Sequence, residues 1–179
     1  MIRNILILCI TLVTLPLCAQ TKNQEVKAVE GFGKTHPIEN PEYQTNIDEI
    51  YKVVFDVSKA PEDPAQRNKW IETVARFINM HLDAGKPAGT LQAVLVLHGN
   101  ASYGLLKNVH YKEKYGVDNP NIGLLEALES SGVPIYLCGQ TSVARNLSED
   151  RRIPQATLAL SAMTVLLQLQ NEGYHLINF

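Results

Sequence analysis

At 179 residues with 45% hydrophobic content, the chain has enough apolar surface for one packed domain. Its 16 Lys and Arg against 18 Asp and Glu leave a formal net charge of -2, which argues against a nucleic-acid partner. Only three cysteines are present.

The first 19 residues read as a secretory leader. One cation, Arg3, precedes the apolar run 5–17, and Cys18-Ala19-Gln20 supplies the small-residue end. That core is too short to span a bilayer comfortably. Cleavage after Ala19, a periplasmic or secreted location and no membrane span are therefore expected. A competing reading makes Cys18 the lipid-bearing first residue of a lipoprotein, since Leu15 stands three positions before it; the bulky Leu17 fits that pattern poorly. Cleavage removes Cys9 and Cys18 and leaves Cys138 unpaired in an oxidising compartment.

Residues 20–48 are polar, punctuated by Gly31, Gly33, Pro37 and Pro41, and read as an arm ahead of a domain at 49–179. Phe32, Ile38 and Tyr43 are its candidate anchors; a mobile remnant is the alternative. Residues 51–57, rich in branched and aromatic side chains, predict a first strand. Asp63 then offers an N-cap and Pro64 a first-turn residue. A helix is expected from there to the stop at Gly85 and Pro87, with Trp70, Val74, Phe77, Ile78, His81 and Leu82 on its apolar face. His81 on that stripe reads as a packed side chain, because no second metal-type residue accompanies it at a ligand interval.

Residues 91–97 are nearly continuous in apolar side chains, a second strand that ends at His98-Gly99-Asn100. A short helix is expected at 103–107, followed by a loop at 108–118 whose tyrosines, with Tyr103, line an opening, an interface or simply solvent. Asn119 and Pro120 repeat the cap-plus-proline signal before a helix carrying Ile122, Leu124, Leu125 and Leu128. The third strand runs from Val133 to Cys138, and Gly139 turns the chain into a helix at 141–145. Residues 148–152 form a charged loop expected to face water. Residues 156–160 open either a long helix or a fourth strand. The strand is preferred, with Ser161 capping a helix to Glu172, Gly173 ending it, and 174–177 forming a fifth strand. Strand and helix alternate, which predicts α/β architecture with a parallel sheet covered on both faces.

Two residues stand out chemically. Cys138 ends an apolar strand and precedes a helix, so it sits on the carboxyl rim where open parallel sheets bind ligands, and a helix N-terminus favours thiolate over thiol. The alternative is a small buried hydrophobe. His98 reaches the same rim if the strands are parallel and there either pairs with the thiol or hydrogen-bonds a backbone carbonyl. Their neighbours Gly99 and Asn100, Gly139 and Gln140 are the expected ligand-binding positions. Asp56, Ser58 and Ser161 also come near the rim but read equally well as turn or capping residues. No glycine fingerprint, zinc-ligand spacing or serine elbow is present, so no cofactor or metal is expected.

Together, Val53-Val54-Phe55-Asp56-Val57-Ser58, Val96-Leu97-His98-Gly99-Asn100-Ala101 and Pro134-Ile135-Tyr136-Leu137-Cys138-Gly139-Gln140-Thr141 resemble the DsrE/DsrF-like family of small sulfur-handling proteins, and 161–179 looks like that family's last helix and strand. The resemblance spans residues 51–179. It implies a three-layer α/β/α sandwich of flavodoxin-like architecture with a mainly parallel five-stranded sheet, and frequent assembly as trimers or hexamers. It also implies a cysteine, here Cys138, that holds sulfane sulfur as a persulfide between donor and acceptor proteins or small sulfur compounds. Two features depart from the pattern. Arg145 is followed by Asn146 rather than glycine, and an exported protein cannot meet the family's cytoplasmic partners. A sulfur carrier or sulfurtransferase is thus the leading expectation; a noncatalytic ligand-binding or assembly module and a thiol redox sensor are the alternatives.

Overall fold

The computed structural model describes residues 25–179; the leader reading falls outside the described residues. Five strands form one sheet in the order β4-β3-β2-β1-β5, every neighbouring pair parallel. The strands are β1 (Tyr51–Val57), β2 (Leu91–Leu97), β3 (Ile135–Cys138), β4 (Ala156–Ala159) and β5 (His175–Asn178). The helices are α1 (Lys69–Asp83), α2 (Asn108–Tyr115), α3 (Ile122–Ser130), α4 (Gly139–Ala144) and α5 (Ala162–Asn171). No helix among the described residues is long and apolar enough to cross a membrane.

The strand order dictates which face each helix covers. From β1 to β4 the chain steps across the sheet in one direction, and right-handed crossovers place every intervening segment on the same face. The return from β4 to β5, beside β1, reverses the step and sends α5 to the other face. Side chains follow this split. Val53, Phe55, Val57, Leu95, Leu97 and Leu137 join α1 and α3 in the main core, while Val54, Val94, Val96 and Cys138 meet Ala162 and Val165 of α5 in a smaller one. Leu124, Leu125 and Leu128 of α3 are fully buried, each such side chain adding roughly 2 kcal/mol of transfer free energy.

Helix starts depart from expectation where long-range hydrogen bonds decide. Asp63 closes a turn onto the Ala65 N–H (2.9 Å) instead of capping α1. The cap is Asn68, whose side-chain oxygen accepts from the N–H groups of Trp70 and Ile71. Asn68 is held by Asn121 Oδ1 (2.8 Å) and the Lys59 carbonyl (2.8 Å), partners invisible to local pattern. Residues 108–118, expected as a loop, carry α2, because Tyr111 is buried with its hydroxyl on the Pro64 carbonyl. The short helix expected at 103–107 is instead a 3-10 segment at Gly99–Leu105. Nor is the charged loop fully in water: Arg151 and Arg152 are half-buried, and Arg152 donates to the Leu147 carbonyl.

The arm is fastened. Val26 and Val29 are buried, and Asn79 of α1 both accepts from the Val29 N–H and donates to the carbonyls of Val29 and Phe32. Lys86, only 2% exposed, donates to the carbonyls of Asn46, Ile47 and Glu49 and lies 3.8 Å over the Tyr51 ring. Phe32 packs on the core, whereas Ile38 and Tyr43 face solvent.

Candidate functional site

Adjacent strands that send their next segments to opposite faces leave a crevice at their carboxyl ends. Here those strands are β3 and β4. Cys138 is the last residue of β3, in register with Ala159 of β4, and its side chain points to the α5 face. Gly139 follows for a steric reason. A Cβ there would stand 2.5 Å from the Ala159 carbonyl oxygen and 3.0 Å from that of Leu160, so only glycine lets α4 start against the end of β4.

Parity along the strands adds two more side chains. Leu97 and Leu137 are paired across β2 and β3, so His98 and Cys138 are the next residues on strands about 4.8 Å apart. Asp56 lies on β1 opposite Val96 and shares their face. His98 Nε2 comes 2.8 Å from Asp56 Oδ1, an ion-pair distance whose N–H alignment falls short of a regular hydrogen bond. Asp56, His98 and Cys138 thus form a row across three neighbouring strands.

Electrostatics push the thiol and the imidazole in opposite directions. Burial alone would raise the Cys138 pKa, since the residue is 7% exposed. The Thr141 N–H and hydroxyl, then the N–H groups of Ala162 and Gln140, outweigh burial and hold it below the ordinary thiol value. These donors come from the first turns of two helices, α4 and α5, and one is relayed. Thr141 Oγ1 accepts the Gly99 N–H (3.4 Å), leaving its own proton for the sulfur. The Asp56 contact raises the His98 pKa, burial opposes it, and the charges of Asp56 and Cys138 raise it further while Arg145 lowers it; the net direction is up. Together the shifts widen the pH window in which thiolate and imidazolium coexist.

The remaining expected site residues serve in different ways. Gly99 has φ +54 and packs its backbone on Ser58, where a Cβ would approach the carbonyl oxygen to 2.8 Å. Asn100 is exposed, accepts from Arg145 Nη2 (3.1 Å) and lines a cavity of about 210 Å³ with Tyr103, Tyr111 and Tyr115. Gln140 is exposed, with its amide 3.4 Å from the Leu160 carbonyl. Ser161 caps α5 through the Thr164 N–H (3.1 Å). Sequence reasoning undervalued Asp56 and missed Thr141. The available signal for Asp56 was a lone carboxylate inside the apolar strand 51–57.

A parallel α/β domain with a cysteine at its switch point is the class that fold and site define. The DsrE/DsrF-like family model matches residues 52–179, and the chain belongs to that family. Among solved structures, it is similar to the protein of unknown function MTH1491 from Methanobacterium thermoautotrophicum, with a TM-score of 0.54 and 18% identity over 72% of this chain and 99% of that one. At that identity the likeness concerns the fold. No curated protein gives a match.

Proposed function

We propose that the protein is an exported sulfur carrier that holds sulfane sulfur on Cys138. The observation that carries this reading is the thiol's setting, with N–H donors from two helix starts, the Thr141 hydroxyl and the His98–Asp56 pair. In the proposed step the Cys138 thiolate attacks the outer sulfur of R–S–SH. The S–S bond breaks, R–S⁻ departs with the electron pair and takes a proton from the His98 imidazolium, and Cys138–S–SH remains. An acceptor thiolate reverses the exchange, so no net oxidant is needed. The family's association with sulfur relay supports this chemistry. Incubation with polysulfide followed by intact mass measurement is expected to add sulfur to the wild type and none to Cys138→Ser. Equal uptake by both ends the proposal.

The apolar run at 5–17, read as a leader ending at Ala19, supports donors and acceptors outside the cytoplasm, as small sulfur compounds or exported thiol proteins. A mature chain beginning at Gln20 is the expected mass-spectrometric result; a diacylated Cys18 contradicts it. We propose further that copies associate through the outer side of α5. Met163 (76% exposed) and Leu167 recur along it one turn apart, Leu160 (72%) precedes its cap, and monomers rarely leave such a patch in water. Sedimentation is expected to show an oligomer that Met163→Glu dissociates.

One observation favours a noncatalytic module: Cys138 is not among the residues that line the cavity at Asn100, so the thiol and that hollow are separate. A thiol titrating near the free value of about 8.5 in an alkylation profile would support that reading against the carrier.

A further inference from the structure

We propose that a basin flanking the rim is a binding site for a small oxyanion or carboxylate, independent of the thiol. Its volume is about 280 Å³, and it lies between the 3-10 segment, α2 and the chain beyond α4. Three cations line it: Lys114, Arg145 and Arg151.

Their pairing is incomplete. Glu113 is the one carboxylate among the described lining residues, and it is shared between His110 Nδ1 (3.0 Å) and Arg151 Nη2 (3.8 Å). The nearby Asp150 carboxyl is engaged first by Ser148 and also feels the charges of Arg151 and His110, and Lys112 pairs with Asp118. Among the described residues, Lys114 and Arg145 form no ion pair at all. Both instead lie over the Tyr103 ring, at 4.4 and 5.7 Å, and Lys114 also lies 5.2 Å over Tyr115. Stacking on a fixed aromatic surface restrains both cations before a ligand arrives.

Hydrogen bonding is unfinished as well. The Nε atoms of Arg145 and Arg151 are shielded from water and lack an acceptor among the described residues. A buried donor without a partner costs free energy until something accepts from it, and a planar guanidinium matches the paired oxygens of a carboxylate or oxyanion. The contrast with the Asn100 cavity is informative. There Asn121 accepts from the Asn68 backbone N–H and donates to Asn119, while the Asn68 side chain bonds the Lys59 carbonyl and the Trp70 N–H, so neither amide is left without a partner. In a chain of net charge -2, two cations without a carboxylate partner, with Arg151 beside them around one hollow, mark a place for an anion.

The test is a titration of the full chain with inorganic phosphate, sulfate and succinate at constant ionic strength, with chloride as control, followed by NMR of the arginine Nε–H groups. Saturable shifts at Arg145 and Arg151 are expected, and comparison of the three anions separates phosphate, sulfate and carboxylate preference. Arg145→Gln is expected to weaken binding about tenfold or more, and Cys138→Ser to leave it unchanged. Lys114→Gln, which removes an exposed side chain resting only on tyrosine rings, is expected to weaken binding while the fold is retained. Chloride matching the other anions, or unchanged affinity in a folded Lys114→Gln protein, overturns the proposal.

Discussion

The two faces of the sheet are built from alternate residues of the same strands, yet they differ in almost every physical respect. One is covered by α1, α3 and the arm, and its strand residues are sealed among leucines, valines and aromatics. The other has only α5 over it, a small cluster beneath, and the row Asp56, His98 and Cys138 at its carboxyl end. A larger cavity of about 730 Å³, lined by Lys52, Gln92, Tyr136 and Gln168, opens along this thin side as well. The difference teaches that a chain which steps one way three times and back once can secure its stability on one face and leave the other more open.

The strongest way to break that division is to cut into the thick face and look for an effect on the thin one. Phe55, fully buried beside Phe77 and Phe179, should lose about 3–5 kcal/mol as Phe55→Ala in urea unfolding. The folded fraction should keep the wild-type alkylation profile of Cys138; a shifted profile would mean that the faces are coupled. At the seam between β3 and β4, Gly139→Ala must displace α4 from the Ala159 carbonyl. It should cost about 1–3 kcal/mol and slow alkylation as the thiolate loses its donors. A purely local change, Thr141→Val, should leave the fold intact and slow alkylation near neutral pH about three- to tenfold, the effect of one lost hydrogen bond to the sulfur.

The smallest expected effect is a pH dependence. Because the folded-state pKa of His98 is raised, chiefly by Asp56, the pair stabilises the protein fully below the free imidazole value of about 6.5. That contribution is lost as pH rises through the folded value. The stability gap between wild type and Asp56→Asn should therefore be widest in mild acid and close as pH rises through the raised folded value of His98. A gap that widens with pH would remove Asp56 as the partner of His98.

Much of the scaffold was legible one segment at a time. β1 and β2 take the bounds their branched, apolar runs predict, Ser161 caps α5, and Cys138 ends its strand against a helix start. Legibility failed where two local signals were equally good and distant atoms chose between them. Asp63 and Asn68 are both apt N-caps, and Asn121, far along the chain, selects the second. Residues 108–115 are too charged to announce a helix, and it is the burial of Tyr111 that holds one there.

The site divides along the same line. Sequence by itself determined that Cys138 and His98 stand at strand ends and that glycine follows each, because apolar runs, their stops and side-chain alternation are properties of neighbouring residues. Only the tertiary structure decided that β2 and β3 lie side by side in a register that sets His98 next to Cys138. It also decided that Asp56 shares their face, and that the first turns of α4 and α5 both reach the sulfur. Strand order and crossover direction are set by how whole layers cover one another, and no stretch of chain carries that information alone.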